Sequence, residues 1–484
     1  MLEGNKFIYN GKEYPLFYAK KLFPEQFHDF YKIKKYNLNT DKLYYYQNVG
    51  ACFLLTRKRA ILADEMGLGK TVQSIFAAKY LMDNKLADRV VIMVMKPLIN
   101  QWLEELKKFA NIDAEIITDF TENGEWLITN YEKCRKPEFK NYLDERTVLI
   151  LDEATKVKNF NTKTAKELVK NNCEYIFILT ATPIQNSPLD LWALVTQLHL
   201  NWLGSYWNFI NKYAVKEELE LKDRTITQII DWQNLNEIRE IVEPIVLRRK
   251  LRQIYKQIPE RESYNIEVDL NDNEMRIYNA IKHLIFKVNG RDYQLGLITI
   301  LRRYLDFPEV LRNTNAIQEL IGKGYTSKNL FRIFTEKDLM QIPSKLEVLK
   351  DIISTQNSND KIMIFTEYKD VAEKLGKALG STYIFSGNAD EKILTDFKAN
   401  GRILINTNKG MYGLNLNEAN VVINYDMSWN PALLEQRIGR VDRLTQNKRV
   451  KVFNLIVSML NNIEEEIIGT IENKKFYSES IIGS

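Results

Sequence analysis

The 484-residue sequence contains few cysteines and few histidines. The three of each type lie far apart along the chain, at Cys52, Cys134 and Cys173 and at His28, His199 and His283. This spacing excludes a recognisable disulfide framework and a zinc-binding cluster. Buried, reduced thiols are the expected state of the cysteines.

Long apolar runs and a strong charge imbalance are also missing. No apolar run approaches the roughly 20 residues that cross a bilayer, and the first residues lack a basic start followed by an apolar core. We therefore expect a cytoplasmic protein that does not contact a membrane. Lys and Arg number 68 against 63 Asp and Glu, so local basic patches would have to bind any polyanionic partner.

Apolar strand patterns alternate with helical patterns in both halves of the chain. In the first half the strand patterns lie at 89–95, 114–118, 125–129, 147–152 and 175–180, and in the second at 361–366, 382–385, 401–406 and 421–425. Continuous apolar strands that alternate with helices are typical of doubly wound parallel sheets. The sequence therefore predicts an α/β fold with two such sheets.

The stretch from Ile61 to Ile75 reads as a short strand, a glycine loop and an amphipathic helix. That order builds a phosphate cradle, because Gly67 and Gly69 let the backbone approach an anion and the helix N-terminus points N–H groups at it. Lys70 adds a positive charge. A plain turn before a helix is the alternative interpretation.

Three more residues are assigned to the predicted nucleotide site. Thr71 is placed to bind Mg²⁺, as the hydroxyl residue of a P-loop does. Asp64 stands where the first glycine of the usual P-loop spacing would be, so the match is to a variant loop that includes this residue. Gln47 precedes the loop and is placed to bond an adenine edge, with a surface glutamine as the alternative.

The run from Thr147 to Asp152, followed by Glu153, is the second chemical signal. Its apolar strand delivers two adjacent carboxylates at the carboxyl end, where parallel sheets bind ligands. Asp152 is predicted to hold Mg²⁺, and Glu153 is predicted to orient and deprotonate the attacking water in phosphoryl transfer. A solvated strand end is the alternative, but the position about 80 residues after a phosphate loop favours the catalytic interpretation.

Hydroxyl and basic residues supply candidates for coupling and for DNA contacts. Thr180 and Thr182 follow an apolar strand and are placed to report the nucleotide state to a nucleic-acid site, unless the Thr-Pro pair only ends the strand. Arg248 and Arg249 lie in the basic segment from Val246 to Lys256, which suits a linker that contacts a phosphate backbone. A solvated helix face is the alternative for this segment.

Gln436, Arg440 and Arg443 follow Pro431 at a spacing of i, i+4 and i+7. This spacing predicts that all three share one face of a helix. Guanidinium groups that reach a phosphate site from another domain neutralise developing charge, as arginine fingers do. The three residues are therefore catalytic candidates, and the alternative is a basic helix that faces DNA or solvent.

With these motifs in this order, the chain resembles superfamily-two helicase-like ATPases, and specifically the Swi/Snf family of double-stranded DNA translocases. The stretches that carry the likeness are Ala63 to Thr71 (motif I), Leu151 to Asn159 (motif II), Leu179 to Asn186 (motif III) and Gln436 to Arg443 (motif VI). Gln47 falls where the family's adenine-reading glutamine lies. The resemblance implies two RecA-like lobes in tandem, ATP and Mg²⁺ as cofactors, and duplex DNA as the partner, with a DNA-bound protein as a further target. We expect a monomer.

Two departures from the family pattern concern the coupling of hydrolysis to DNA. Thr155 stands where the family usually has histidine, so we expect basal hydrolysis with a looser dependence on DNA. The stretch from Thr407 to Leu416 resembles motif V, and Thr407 and Asn415 are its candidate DNA contacts. Lys409 and Met411 replace small residues there.

The same patterns suggest the domain boundaries. We expect an N-terminal appendage at 1–40, with a hairpin turn at Asn10-Gly11, then a first lobe at 41–250 with a helical insertion at about 187–244. A second lobe at 251–484 would carry a helical insertion at about 270–337 and a C-terminal brace helix. This division leaves no segment for an accessory targeting domain.

The leading functional hypothesis is an ATP-hydrolysing motor that translocates on double-stranded DNA and remodels DNA or protein–DNA complexes. A strand-separating or annealing DNA or RNA helicase would use the same motor. A nucleotide-gated DNA-binding module with weak ATPase activity is an alternative of another class. The presence of Lys70, Asp152, Glu153, Arg440 and Arg443 argues against that last alternative.

Overall fold

The computed structural model describes most of the chain, as two compact units. The described residues are 2–3, 6–9, 12–15, 33–38, 40–199, 201–221, 224–256, 258–287, 291–312, 333–381, 383–385, 391–407, 416–443, 446–457 and 463–483. Unit 1 comprises Met1–Lys256 and Asn473–Ser484, and unit 2 comprises Gln257–Glu472. The structure thus groups the last residues with unit 1, whereas the sequence assigns them to the second lobe.

A small antiparallel sheet lies at the N-terminus of unit 1. Its strands are β1 (Leu2–Glu3), β2 (Lys6–Tyr9) and β3 (Lys12–Pro15), in the order β1-β2-β3. Tyr9 pairs with Lys12. The antiparallel pairing predicted on either side of Asn10-Gly11 is confirmed, whereas these two residues lie outside the described part of the chain.

Unit 1 is built on a seven-stranded parallel sheet. The strands of this unit after β3, in chain order, are β4 (Arg59–Leu62), β5 (Arg89–Val94), β6 (Glu115–Ile116), β7 (Trp126–Asn130), β8 (Thr147–Asp152), β9 (Tyr175–Leu179), β10 (Ala214–Leu221), β11 (Arg224–Trp232) and β12 (Val246–Leu247). The order in the parallel sheet is β12-β4-β9-β8-β5-β7-β6. Every residue of β8 and β9 is buried, as expected for strands that are covered on both faces.

The helices of unit 1 cover this sheet. They are α1 (Tyr45–Arg57), α2 (Lys70–Asp83), α3 (Ile99–Glu105), α4 (Lys163–Leu168), α5 (Pro188–Gln197), α6 (Tyr206–Tyr213), α7 (Leu235–Val242) and α8 (Leu251–Ile254). A π-helical turn at Leu106–Ala110 continues α3, and 3-10 turns lie at Lys96–Leu98, Lys133–Arg135, Pro137–Tyr142, Ala154–Val157 and Asn201–Leu203.

The insertion predicted to be helical at 187–244 contains an antiparallel β-hairpin. Strands β10 and β11 pair from Ala214 with Trp232 to Leu221 with Arg224. The purely helical prediction for this insertion is therefore wrong. Its physical reason lies in β11, where threonine and isoleucine predominate, since these β-branched residues favour strands.

Unit 2 is built on a six-stranded sheet, whose strands are β13 (Glu262–Val268), β14 (Ile362–Thr366), β15 (Ile384–Phe385), β16 (Ile403–Thr407), β17 (Val421–Asn424) and β18 (Lys451–Val457). Their order is β13-β18-β17-β14-β16-β15, and every neighbouring pair is parallel. The remaining helices are α9 (Asp272–Lys287), α10 (Arg291–Asp306), α11 (Glu336–Met340), α12 (Ser344–Thr355), α13 (Lys369–Leu379), α14 (Glu391–Asn400), α15 (Pro431–Ile438) and α16 (Ile463–Ile482), with a 3-10 turn at Pro308–Arg312.

The predicted fold class is confirmed: the protein is α/β, with two RecA-like parallel-sheet lobes in tandem. Each sheet has its own apolar core, formed by the central strands and the helices packed on them. In the described part of the chain, no helix combines the length and the apolar character needed to cross a bilayer.

Candidate nucleotide site

The phosphate loop connects β4 to α2 at the carboxyl edge of the unit 1 sheet. Gly67 and Gly69 have φ angles of 86° and 70°, in the left-handed region that glycine adopts without strain. Gly69 is the N-cap residue of α2, which begins at Lys70. Thr71 follows in the first turn and is half-buried. The N-terminal N–H groups of α2 are therefore available to an anion at this loop.

Lys70 is held by the backbone of its own loop. Its Nζ donates to the carbonyl oxygens of Asp64 at 2.8 Å and of Glu65 at 3.3 Å. Burial lowers the pKa of Lys70, and the nearby charges of Glu153, Asp64 and Asp152 oppose that shift. The ammonium group is thus bonded to neutral carbonyls and lies in the electrostatic field of the Asp-Glu pair.

Gln47 lies against the same loop, in the first turn of α1. Its Oε1 accepts a hydrogen bond from the backbone N–H of Tyr44 at 3.1 Å, and its Nε2 donates to Leu68 O at 3.4 Å. A Cβ atom at position 69 would lie 2.4 Å from Gln47 Nε2, so a larger residue there would displace the end of the Gln47 side chain. This position is compatible with the adenine-reading role, which stays a prediction.

Asp152 ends β8 and is oriented by two hydrogen bonds. Trp102 Nε1 donates to Oδ2 at 2.7 Å, and the backbone N–H of Glu153 donates to Oδ1 at 3.0 Å. Burial, followed by the neighbouring charge of Glu153, raises the pKa of Asp152 to about 7, while the Trp102 hydrogen bond lowers it. The sequence analysis assigns no role to Trp102. A role could have been inferred from the need of a buried indole N–H for a hydrogen-bond acceptor.

Glu153 begins the turn after β8 in a left-handed conformation, with φ 46° and ψ 57°. A non-glycine residue in this region is strained, and such strain is common at functional sites. Thr155 lies in the 3-10 turn Ala154–Val157, and its side chain is outside the described part of the structure. The conformation of Glu153 redirects the chain sharply beside the buried Asp152.

A buried lysine connects this turn to the threonine pair after β9. Lys158 Nζ donates to Thr182 O, and burial lowers the pKa of Lys158 to about 8. The Thr182 N–H in turn donates to Thr180 Oγ1 at 3.2 Å, and Gln185 Nε2 donates to Thr182 Oγ1 at 3.0 Å. Lys158 is a second site residue that the sequence reasoning missed, although it lies within the motif II stretch.

Arg248 and Arg249 both bond to residues of unit 1, and the DNA contact predicted at Arg248 stays a prediction. Arg248 NH1 donates to Ser478 Oγ at 3.1 Å, within unit 1. Arg249 forms a two-point ion pair with Asp64, whose carboxylate is fully buried. The expectation of a DNA contact at Arg249 is therefore corrected, because its guanidinium is engaged inside unit 1. Asp64, assigned to the nucleotide site, likewise directs its carboxylate to Arg249.

The three motif VI residues do not share one helix face. Helix α15 ends at Ile438, so Gln436 is helical whereas Arg440 and Arg443 lie in the turns that follow. Gly439 weakens the helix, and the chain turns there so that Val441 enters the core of unit 2. Arg443 Nε donates to Gly439 O at 3.0 Å. The prediction of a continuous helical face is wrong, and the catalytic roles stay predictions.

Two other candidates lie in unit 2. Thr407 ends β16 and is buried, whereas Asn415 is outside the described residues. Arg437, next to Gln436, is fully buried and donates to Asn424 Oδ1 at 3.1 Å and Asp426 O at 2.9 Å. Arg437 thus holds α15 on the end of β17.

The residues of unit 1 fit a magnesium ion that is bound together with nucleotide. Mg²⁺ is usually held by one or two carboxylates together with phosphate oxygens and water. Asp152 supplies a buried carboxylate, and its proximity to Lys70 is reflected in the pKa values of both groups. Asp152 and the Thr71 hydroxyl would hold the ion, and Lys70 would contact the phosphate.

Comparisons with known proteins give the family. The sequence profile of the SNF2-related domain matches residues 46–319, more than half of the chain, and that of the helicase conserved C-terminal domain matches residues 344–445. The uncharacterized ATP-dependent helicase YqhH of Bacillus subtilis is 27% identical over 88% of this chain and 76% of its own length. The putative ATP-dependent helicase/translocase YwqA of Bacillus subtilis is 25% identical over 91% of this chain, which spans 48% of that relative.

A solved structure supports the fold. The helicase domain of Hef from Pyrococcus furiosus is similar at a TM-score of 0.50 and 16% identity, and the match covers 88% of this chain and 97% of that one. This likeness bears on the fold alone. The profile match over residues 46–319, together with the phosphate loop and the Asp152-Glu153 turn that it contains, shows that the chain belongs to the SNF2-related domain family.

Proposed function

We propose that this protein is an ATP-driven motor that translocates on double-stranded DNA and remodels DNA or protein–DNA complexes. Membership of the family makes it an ATP-hydrolysing enzyme of the helicase type. The observation that carries the proposal is the meeting of the phosphate loop with the Asp152-Glu153 turn: the charges of both carboxylates act on the pKa of Lys70, and the charges of Glu153 and Lys70 act on the pKa of Asp152.

The chemistry follows from these three side chains. Lys70 would neutralise the charge of the terminal phosphates, and Asp152 with Thr71 would hold Mg²⁺ on them. Glu153 would orient and deprotonate the attacking water. Mg²⁺ would supply the remaining charge neutralisation during phosphoryl transfer. The protein then contributes positioning and electrostatics, which is what this reaction requires.

Arg440 and Arg443 would complete the reaction as arginine fingers on the nucleotide that unit 1 binds. Arg443 is half-buried and lies in a turn beyond α15, so its position depends on the end of that helix. Hydrolysis would therefore depend on the state of both units. That dependence would convert ATP turnover into movement along a track.

Duplex DNA as the track rests on the family resemblance and on the helicase/translocase name of YwqA. Arg249 does not support this proposal, because its guanidinium pairs with Asp64. A protein on the DNA would be displaced or rearranged by the moving motor. Strand separation would use the same motor with an added wedge, so the two activities must be distinguished by assay.

The test is the ATPase rate with duplex DNA, single-stranded DNA and RNA, compared at one stated salt concentration. We expect duplex DNA to stimulate hydrolysis most. Displacement of a third strand from a triplex, without unwinding of a forked duplex, would support translocation. Strongest stimulation by RNA would refute the proposal, and efficient fork unwinding would favour the helicase alternative.

A further inference from the structure

Arg249 and Asp64 form a buried, bidentate ion pair next to the phosphate loop. Arg249 Nε donates to Asp64 Oδ1 at 2.9 Å, and its NH2 donates to Oδ2. The side chains are 13% and 0% exposed. A two-point pair of this kind fixes the angle of both groups as well as their distance. An arginine placed to bind a phosphate backbone would instead direct its donors to solvent.

Gln73 extends this pair to the loop backbone. From α2, its Nε2 donates to Asp64 Oδ2 at 3.1 Å and to Leu68 O at 3.0 Å, while its Oε1 accepts from Arg249 NH2 at 2.8 Å. Arg249 NH1 also donates to Tyr46 O, and the guanidinium lies 5.3 Å from the centre of the Tyr46 ring. The cluster therefore joins α1, the phosphate loop and α2.

The backbone around Arg249 runs alongside the start of the loop. The N–H of Ala63 donates to Leu247 O at 2.7 Å, and the N–H of Glu65 donates to Arg249 O at 3.0 Å. The N–H of Leu251 then donates to a Glu65 carboxylate oxygen at 2.6 Å. We name residues 247–251 the strap. It bonds the two residues, 63 and 65, on either side of Asp64.

Gly50 on α1 provides the space for this cluster. A Cβ atom at that position would lie 1.8 Å from Gln73 Oε1 and 2.8 Å from Arg249 NH2. No side chain fits there without displacing both groups. The close approach of three elements at a glycine shows that the cluster occupies a defined position in the packed structure of unit 1.

We propose that Arg249 is a positioning residue for the phosphate loop, and that it acts through Asp64 and Gln73. This inference deepens the proposed function and rests on the ATP-binding role proposed for the loop. The peptide units that the cluster holds are those that Lys70 bonds, since Lys70 Nζ donates to Asp64 O and Glu65 O. Fixing Asp64 therefore fixes the carbonyls from which Lys70 must be released to reach a phosphate.

The position of the strap adds a regulatory consequence. Along the chain, the strap is followed closely by the end of unit 1 at Lys256. A displacement of residues 250–256 would first move Arg249 and, through its ion pair, then move Asp64. The affinity of the loop for nucleotide would thus respond to the chain segment that leads into unit 2.

The experiment measures the affinity for a fluorescent, non-hydrolysable ATP analogue in the full chain without DNA, together with kcat and KM at saturating DNA. Arg249→Ala should weaken analogue binding by at least about tenfold, the scale typical of lost supporting hydrogen bonds around a site. Its DNA affinity and the salt dependence of DNA binding should stay as in the wild type. Arg249→Lys should recover only part of the affinity, because an ammonium group cannot reproduce the two parallel hydrogen bonds of a guanidinium to a carboxylate.

Two further variants make the test independent of that one substitution. Gly50→Ala leaves every charge in place but displaces the cluster, so it should weaken analogue binding in the same direction as Arg249→Ala. Lys250→Ala removes a positive charge from the same strap; Lys250 lies 3.7 Å from Glu479 and should leave the analogue affinity unchanged. If Arg249→Ala does not fold, Asp64→Asn and Gly50→Ala give the same measurement with smaller changes in volume.

Three outcomes would overturn the inference. One is wild-type analogue affinity in folded Arg249→Ala and Gly50→Ala. A second is a fall in the DNA affinity of Arg249→Ala together with a salt dependence of DNA binding whose slope is lower by about one, because that combination marks a lost phosphate-backbone contact. The third is an equal loss of affinity in Lys250→Ala. Because analogue binding is measured without DNA, failure of duplex DNA to stimulate the wild type would refute the proposed function but leave this inference standing.

Discussion

The carboxyl edges of the two parallel sheets are built from similar apolar strands, but their charged residues are satisfied differently. In unit 1, Lys70 donates to backbone carbonyls and Asp152 accepts from an indole and a backbone N–H. In unit 2, Asp426 follows β17 and accepts from Arg437, and Glu367 follows β14 and accepts from Arg302. Asp426 also accepts from Thr366 Oγ1 and from the Glu367 N–H. The difference is therefore that the two carboxylates of unit 2 each have an arginine partner within the fold, whereas Lys70 and Asp152 of unit 1 are hydrogen-bonded only to neutral groups, which suits residues that bind a charged ligand.

Backbone strain shows the same difference. All the described non-glycine residues with a positive φ lie in unit 1, and Glu153 at the candidate site is one of them. The exception to the charge pattern is also in unit 1, where Asp64 is paired with Arg249. The exception is informative, because an ion pair beside a ligand site can hold the loop in position, whereas its charges are already neutralised and do not bind the ligand.

The largest expected effect comes from replacing one lysine in each unit by methionine. Lys70→Met should abolish turnover with little loss of stability, because burial lowers the pKa of Lys70 more than the nearby carboxylates raise it and its hydrogen-bond partners are neutral carbonyls. Lys345 pairs with Asp306 at 3.1 Å, and both side chains are 1% exposed. Lys345→Met should lower the free energy of unfolding by about 3–5 kcal/mol, since it removes the cation opposite a buried carboxylate.

Denaturant unfolding and ATPase rates on both variants check this contrast. The binding isotherm of Lys70→Met for duplex DNA without nucleotide should match that of the wild type. A stability loss in Lys70→Met equal to that in Lys345→Met would show that the two lysines are equivalent structural charges. Loss of DNA affinity in Lys70→Met would show that the phosphate loop and the DNA contacts are not separate.

The next effect contrasts neighbouring arginines within unit 2. Arg440→Ala and Arg443→Ala should each lower turnover at saturating ATP and DNA by about a hundredfold or more, because an arginine finger contributes about 10³–10⁵ in rate. Their DNA affinity should stay close to that of the wild type. Arg437→Ala should instead destabilise unit 2, since Arg437 is fully buried and bonded to Asn424 and Asp426. Recovery of turnover at high DNA concentration would assign Arg440 and Arg443 to DNA binding.

Local patterns in the sequence predict much of the sheets and of the phosphate loop. The glycine loop before α2 and the carboxylates at the end of β8 depend on neighbouring residues, so a sequence window contains the whole signal. The edge strand β13 is missed because Ser263, Tyr264 and Asn265 are exposed and polar. Its assignment depends on pairing with β18, which is remote in sequence.

The supporting contacts of the site are not predicted, because each joins distant positions. Arg249 and Asp64 are 185 residues apart, and Trp102 and Asp152 are 50 apart. In the sequence, Arg249 is only one of several basic residues in a linker, and its charge gives no information about its partner. The shared helix face predicted for the motif VI residues is wrong for another reason. Helix α15 ends at Ile438, and Val441 beyond it is buried in the core, so the helical spacing of the basic residues does not continue.

A smaller effect is expected for Trp102, which orients the carboxylate of Asp152 through its indole N–H. Trp102→Phe keeps the aromatic packing but removes this donor, and it should weaken Mg²⁺-dependent turnover by about 10–100-fold. Trp192 is the matched control, because its Nε1 donates to Gly204 O at 3.0 Å, outside the site. The Mg²⁺ dependence of turnover should shift in Trp102→Phe and not in Trp192→Phe. Equal shifts would assign both indoles to packing alone.

The smallest effect concerns Lys158, a charge of unit 1 that is bonded to the Thr182 carbonyl and lies near the charges of Asp190 and Glu153. Burial lowers its pKa from 10.5 to about 8, so the folded state disfavours the charged form. The buried charge of Lys158 therefore destabilises the folded state fully below pH 8, and this destabilisation is lost as the pH rises toward 10.5, the pKa of the unfolded state. Raising the pH from about 7 to about 9 should therefore stabilise the wild type relative to Lys158→Met, by on the order of 1 kcal/mol. Denaturant unfolding of both proteins at the two pH values measures this difference, in which titrations elsewhere in the chain cancel. If the free energies of unfolding of the two proteins change with pH in parallel, Lys158 is charged to the same extent in the folded and unfolded states. Its hydrogen bond to Thr182 would then stabilise the charge as well as the ion pairs of unit 2 do.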